Sequence, residues 1–109
     1  MEVHGKLFEC PVTATLELIG GRWKTPILYY LSNGKRRFGQ INTTIEGISK
    51  KVLTEQLKQL ENDGLILREY HKELPPRVEY SLTDFGKSLE VVFTSIVNWA
   101  DYNLKFEKK

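Results

Sequence analysis

The chain has 109 residues, enough for one domain, because a chain of this length buries roughly 60–70% of the surface that it exposes when unfolded. With 40% hydrophobic and 28% charged residues wholesale disorder is excluded, whereas a net charge of +2 by itself decides nothing about nucleic acid. A single cysteine excludes an intramolecular disulfide and a zinc site of several thiolates, so neither a metal nor a cofactor is expected.

The first part of the chain predicts an arm followed by two helices. Residues 1–9 show no strong pattern, and we expect a loose N-terminal arm there. Pro11 suits the first position of a helix, which we expect to run from Pro11 to Ile19 and to stop at Gly20 and Gly21. A second helix is expected from about Trp23 to Leu31.

The next segment predicts a helix-turn-helix over about residues 38–63. A short helix from Phe38 to Thr44 is expected to lead through a turn at Gly47 into a longer helix from Ser49 to Asp63, with Ser49 as its N-cap. Leucines at i, i+4 and i+7 predict one buried stripe on the longer helix: Leu53, Leu57 and Leu60. Cations and a hydroxyl are predicted on its far side, which suits insertion into a DNA major groove: Lys50, Lys51, Thr54 and Lys58.

A β-hairpin and a last helix complete the chain. Strand-like segments at Leu65–Tyr70 and Val78–Leu82 predict a two-stranded wing over residues 65–82, with its tip between Lys72 and Arg77. Thr83 is expected to cap one final helix over residues 83–104, about 30 Å long at 1.5 Å per residue. The predicted fold is therefore mainly α with a small β-hairpin (α+β), and residues 1–109 form one domain.

Cations around the helix-turn-helix predict double-stranded DNA as a partner, since phosphate contacts supply affinity and base-edge contacts supply sequence preference. Arg36 and Arg37 precede the short helix, where they could clamp phosphates, and Lys72 and Arg77 flank the wing tip, which could reach a minor groove. For the long helix taken alone, a lysine-rich face that is merely solvated is an equal alternative. The candidate DNA-binding residues are Arg36, Arg37, Ser49, Lys50, Lys51, Thr54, Lys58, Lys72 and Arg77.

Several motifs in fixed order resemble those of the HxlR-type winged helix-turn-helix regulators. The resemblance covers about Cys10 to Trp99 and rests on Cys10–Leu16, Ile19–Lys24, Phe38–Ile41, Gly47–Ser49, Leu53–Thr54, Leu57, Leu60–Leu65, Pro75–Tyr80 and Leu82–Thr83. It implies a winged helix-turn-helix with N- and C-terminal dimerisation helices. It also implies a bacterial or archaeal homodimeric transcription regulator, related to MarR-type proteins at the superfamily level.

The last helix is apolar over more of its circumference than one small core needs, and large apolar patches mark interfaces. The alternative is that this helix packs only on its own domain. Both arrangements apply if Phe85 and Leu89 face the core while later residues face a partner subunit. The resemblance adds residues of the first helix. The predicted dimer interface is Val12, Leu16, Phe93, Ile96, Val97, Trp99, Ala100 and Leu104. A two-fold dimer would place its two reading helices about 34 Å apart and read a palindromic operator.

Cys10 immediately precedes Pro11 and is therefore predicted at the N-cap of the first helix. The positive end of a helix lowers the pKa of a thiol, which makes it a better nucleophile toward oxidants or electrophiles. Some HxlR-like proteins sense such compounds in this manner, so Cys10 is a candidate redox sensor. The alternative is a small, partly buried residue with weak capping ability. Because Cys10 is the only cysteine of the chain, a sensor based on it would have to form an intersubunit disulfide or a mixed adduct.

Two other classes of function fit the sequence less well. There is no Gly-rich phosphate loop, and the two histidines, His4 and His71, lie in the arm and the wing, so no catalytic site is expected. A winged-helix module that docks on a protein is the alternative function, although such modules usually lose their groove-facing cations. No run approaches the ~18 apolar residues of a membrane span, and we expect a cytoplasmic protein without a membrane partner. The residues specify neither an operator nor a small-molecule effector.

Overall fold

The computed structural model describes residues 1–104, in which helices and short strands alternate along the chain. The strands are β1 (Glu2–Val3), β2 (Lys6–Leu7), β3 (Arg36–Arg37), β4 (Ile66–His71) and β5 (Arg77–Leu82). The helices are α1 (Pro11–Ile19), α2 (Lys24–Leu31), α3 (Phe38–Thr44), α4 (Lys50–Asn62), α5 (Asp84–Lys87) and α6 (Glu90–Asn103). The fold is mainly α, with small antiparallel sheets, a helix-turn-helix and a wing. The predicted fold class is therefore confirmed.

The leucine stripe of α4 is the centre of the core, as its spacing predicts. Leu53, Leu57 and Leu60 are fully or almost fully buried, and they share one cluster with residues of the preceding helices such as Ile27 and Ile41. Burying each such side chain contributes roughly 1.5–3 kcal/mol. The stripe therefore fixes which side of α4 faces inward and leaves the other side to solvent.

Both ends of α4 are closed by capping residues, of which Ser49 at its start is the predicted one. The Ser49 hydroxyl accepts a hydrogen bond from the Val52 N–H at 3.1 Å, which satisfies one of the unpaired donors of the first turn. At the other end Gly64 adopts a φ of +75°, and the Leu65 N–H donates to the Leu60 carbonyl at 3.0 Å. This arrangement is a Schellman motif, which reverses the chain into β4.

The wing is part of a three-stranded sheet rather than the two-stranded hairpin that the sequence predicts. The strand order is β3-β5-β4, and β3 pairs with β5 so that Arg36 lies opposite Tyr80 and Arg37 opposite Glu79. β4 and β5 pair from Ile66 opposite Leu82 to the tip. The arginine run before α3 is extended and covers the free edge of β5, but a strand of two residues is too short to show an alternating pattern.

The N-terminal arm is an ordered hairpin, and the prediction of a loose arm is wrong. β1 and β2 pair around a two-residue turn in which His4 has a φ of 53° and Gly5 a φ of 73°. Positive φ at both positions is the geometry of the tightest hairpin turns. Side-chain contacts to other elements, described below, hold this hairpin against the domain.

The single final helix predicted over residues 83–104 is divided into α5 and α6. The Thr83 hydroxyl caps α5 by accepting from the Gly86 N–H at 3.0 Å, as predicted. The Phe85 carbonyl then accepts hydrogen bonds from both the N–H and the hydroxyl of Ser88. The Leu89 N–H donates to the Gly86 carbonyl at 3.1 Å instead of to the Phe85 carbonyl four residues back. This local competition for a carbonyl ends the helix. Leu89 is buried as predicted, whereas Phe85 is exposed, so its assignment to the core is wrong.

Across residues 1–104, the helices are too short or too polar to cross a membrane.

Candidate nucleic-acid interface

The outer face of α4 carries the predicted reading residues. Lys51, Thr54 and Lys58 are all exposed, and the buried leucines occupy the opposite side of the helix. Lys50 is exposed too, but it lies seven residues before Leu57. Seven residues are a rotation of about 700° around the helix axis, so Lys50 points in almost the same direction as the buried Leu57. The prediction that Lys50 belongs to the far side is corrected: Lys50 lies on the leucine side of α4 and is exposed as the first residue of the helix.

The two hydroxyls on this helix already make backbone hydrogen bonds and keep capacity for a further one. Ser49 accepts from the Val52 N–H, which leaves its own O–H free to donate to a phosphate. Thr54 donates to the Lys50 carbonyl at 2.8 Å, which leaves its oxygen free to accept from a base amino group. Both residues lie on the exposed surface together with the lysines.

The two arginines before α3 have different surroundings. Arg37 is exposed, and its backbone N–H donates to the Gln40 side chain at 2.8 Å, which closes the first turn of α3. Arg36 is half-buried, with its guanidinium carbon 4.9 Å from the centre of the Tyr30 ring and its Nη1 donating to the Lys35 carbonyl at 2.8 Å. A hydrogen bond from the Thr44 side chain and, to a smaller extent, Arg36 lower the pKa of Tyr30. Arg37 is thus the better placed of the two to meet a phosphate.

The two cations of the wing also differ. Arg77 is half-buried between two carboxylates, with Nη1 2.9 Å from Glu73 Oε1 and Nε 3.4 Å from Glu79 Oε1. Lys72 is exposed, and no carboxylate of residues 1–104 lies within 4.0 Å of its ammonium group. Of the predicted wing contacts, Lys72 presents an uncompensated positive charge, whereas the charge of Arg77 is balanced inside the wing.

A second surface of interest is the apolar side of α6. Ile96 and Trp99 are exposed, Val97 and Ala100 are half-buried, and Leu104 is exposed just after the helix. A shallow apolar groove, largely open to solvent, lies on this helix alone and is lined by Val91, Val92, Ser95, Ile96 and Trp99. On α1, the predicted interface residues Val12 and Leu16 are 66% and 60% exposed.

Phe93 does not belong to this apolar surface. It is only 4% exposed, and its ring meets the Tyr29 ring edge-on with the centres 5.8 Å apart. The prediction that it faces a partner is therefore corrected: Phe93 attaches α6 to the core of its own domain. Val91, in contrast, is exposed and lines the groove, although it is not among the predicted interface residues. Its spacing of eight residues from Trp99 was the available signal.

Cys10 lies where its sequence context predicts. It is the exposed N-cap of α1, with Pro11 as the first helical residue. Hydrogen bonds from the Thr13 side chain and then from the Thr13 and Val12 backbone lower the pKa of its thiol. The predicted N-cap position of Cys10 is confirmed, and the thiol is exposed.

Polar contacts of the N-terminal hairpin connect this region to the end of α4. His4 Nε2 lies 2.8 Å from Asp63 Oδ2, and Asp63 is the C-cap of α4. The Lys6 ammonium lies 2.9 Å from Glu17 Oε1 on α1, and this hydrogen bond, with the Lys6 charge, lowers the pKa of Glu17. The hairpin therefore contacts both α1 and the C-cap of α4.

Comparison with known proteins places this geometry among helix-turn-helix proteins. The model of the HxlR-like helix-turn-helix family matches residues 18–108. The HTH-type transcriptional regulator YdeP of Bacillus subtilis is 48% identical over 92 residues, which are 84% of this chain and 72% of that protein.

Solved structures agree with this result. The redox regulator HypR in its oxidized form is similar with a TM-score of 0.82 and 41% identity, over 89% of this chain and all of that chain. The reduced form of the transcriptional regulator YodB from B. subtilis is similar with a TM-score of 0.77 and 36% identity, over 93% of this chain and all of that chain.

Proposed function

Since this chain belongs to the HxlR-like helix-turn-helix family of transcriptional regulators, we propose that it binds a palindromic operator in double-stranded DNA as a homodimer. Its relatives are regulators rather than enzymes, and so is this chain. The family and the fold set the class of function. The residues of α4, α6 and α1 support the finer statement.

The observation that carries the proposal is the two-sidedness of α4. One side is anchored by buried leucines, while Lys51, Thr54 and Lys58 are exposed on the other, and a capped first turn presents Ser49 and Lys50. A helix held in this way can enter a major groove with its cations toward phosphates and base edges. Arg37 before α3 and Lys72 in the wing add two further exposed cations.

A homodimer is supported by the apolar groove on α6. Trp99 is 60% exposed and Ile96 is 50% exposed, next to Val91 and Val92 along the same helix. Contiguous apolar surface of this kind is costly in water and marks an interface. A two-fold copy placed against it would repeat α4 at a fixed distance, which is the arrangement that reads two half-sites about 34 Å apart.

We also assign a redox or electrophile response to Cys10. Its thiol is exposed at the start of α1, and its pKa is lowered, so a larger share is the reactive thiolate at neutral pH. Peroxide oxidises one Cys10 thiolate to a sulfenic acid with release of water or hydroxide. The partner's thiol then displaces water to form an intersubunit disulfide. HypR, which is described as a redox regulator, is a structural neighbour that supports this proposal.

A selection from genomic fragments with the purified protein at ~150 mM salt tests DNA binding, because non-specific binding is weak there. We expect a short palindrome with half-sites one helical turn apart. A double variant, Lys51→Ala with Lys58→Ala, should lose this DNA, while Lys87→Ala, which removes an exposed cation from α5, should retain it. A folded dimer that enriches no duplex would contradict the proposal and favour docking on a protein.

A further inference from the structure

Glu55 occupies the centre of the outer face of α4. It lies two residues from Leu53 and two from Leu57, about 200° and 160° around the helix, and so opposite the buried stripe. Lys51 precedes it by four residues and Lys58 follows it by three, which makes both lysines its neighbours on that face. A carboxylate therefore stands in the middle of the surface that we propose to face DNA.

This carboxylate has no cationic partner within the described part of the chain. Among residues 1–104, no Lys, Arg or His nitrogen lies within 4.0 Å of the Glu55 carboxylate. Other carboxylates, such as Glu17 and Glu79, are held in ion pairs. Glu55 is exposed, so its oxygens and the neighbouring ammonium groups are separately available to a ligand.

The position of this charge is unfavourable for contact with phosphates alone. A negative side chain between two phosphate-binding lysines repels the backbone and weakens sequence-independent binding. It becomes favourable when it accepts a hydrogen bond from a base, and in the major groove the available donors are the exocyclic amino groups of cytosine (N4) and adenine (N6). Guanine O6 and thymine O4 are acceptors there, and a carboxylate repels them.

We propose that Glu55 determines operator sequence by accepting a hydrogen bond from the exocyclic amino group of one base in each half-site. Lys51 and Lys58 then supply phosphate or guanine contacts beside it, while Glu55 excludes bases that present only acceptors. This inference rests on the proposed DNA-binding function and adds to it the residue that discriminates between bases.

The test is an in vitro selection from random duplexes with the full chain, followed by competition between the four base pairs at each half-site position. Wild type should prefer cytosine or adenine at one position by roughly 5- to 150-fold over bases without an amino group there. The competition series identifies which of the two bases supplies the amino group. Glu55→Ala should reduce that preference to less than about 2-fold, and its affinity for unrelated DNA should stay equal or rise.

Glu61→Gln is the matched control, because Glu61 is an exposed carboxylate on the same helix that lies six residues nearer to its C-terminal end and about 120° around the helix from Glu55. It should leave the selected sequence unchanged. A Glu55→Ala protein with wild-type unfolding behaviour that selects the same bases with the same preference overturns the inference alone. A wild-type protein without affinity for any duplex overturns the proposed function, and the inference with it.

Discussion

His4 Nε2 lies 2.8 Å from Asp63 Oδ2, which joins the N-terminal hairpin to the C-cap of α4. The side chains are 34% and 16% exposed, so the contact is partly protected from water. It links the segment just before Cys10 to a helix that begins forty residues further along the chain. The hairpin is therefore a structural part of the domain.

We predict that His4→Ala lowers the free energy of unfolding by about 0.5–1 kcal/mol, the range of partly exposed polar pairs. Urea unfolding followed by tryptophan fluorescence measures this. Glu2→Ala is the control, since Glu2 is exposed in the same hairpin and has no ion pair within residues 1–104. Equal stabilities of the two variants would show that the contact does not hold the hairpin.

Gly86 is required by a close approach of two backbone segments. A Cβ at this position would lie 2.2 Å from the Leu65 carbonyl oxygen, and backbone cannot move aside as a flexible side chain can. Gly86→Ala should therefore destabilise the protein by about 1–3 kcal/mol in thermal or urea unfolding. Gly39→Ala is the matched control, because nothing lies within 4 Å of its Cβ position in α3. That variant should be neutral or stabilised by up to about 1 kcal/mol.

The lowered pKa of Cys10 predicts a specific pH dependence of its alkylation. Because the thiolate reacts, the rate with iodoacetamide should reach half its maximum below the pH found for an unperturbed cysteine. Thr13→Val removes the side-chain hydrogen bond that contributes most, so the midpoint should move to higher pH. Mass spectrometry of timed samples gives the rate. A midpoint that is unchanged in Thr13→Val, while Thr13→Ser behaves as wild type, would exclude this hydrogen bond as the cause.

The proposed dimer predicts that a charge in the α6 groove separates the subunits. Ile96→Asp should shift the sedimentation coefficient from that of a dimer to that of a monomer, since an unpaired carboxylate would be buried at the contact. Leu74→Asp is the control, because Leu74 is 99% exposed at the wing tip, far from α6 in the chain. If both variants and wild type sediment alike, the groove is not the contact between subunits.

The sequence predicts those elements whose pattern is long enough to be periodic. The bounds of α1 and α3 agree with the prediction, and the leucine spacing identifies the buried side of α4. The two-residue strands escape prediction because they show no alternation, and their pairing depends on distant partners such as Tyr80 opposite Arg36. The last helix is divided because Ser88 binds the Phe85 carbonyl, and the spacing of apolar residues does not predict this hydrogen bond.

For the candidate site, residue type and helical spacing indicate which side chains are exposed on α4, but they do not show which charges are already neutralised. Arg77 and Lys72 are equivalent by sequence, and only the structure shows Glu73 and Glu79 beside Arg77. Phe93 was assigned to an interface because an apolar helix does not state which of its faces meets its own core.

The pairing of β3 with β5 has a mechanical consequence. Arg37, at the start of α3, is held by a backbone ladder opposite Glu79 in the wing, while α4 runs directly into β4 of the same sheet. If the subunits of the proposed dimer tilted at their interface, α3, α4 and the wing of each subunit would rotate together as one rigid body. The surface of each subunit that contacts its half-site would keep its shape. Only the distance and the angle between the two subunits would change. Loss of binding would accordingly come from mismatched spacing, with both reading surfaces still intact.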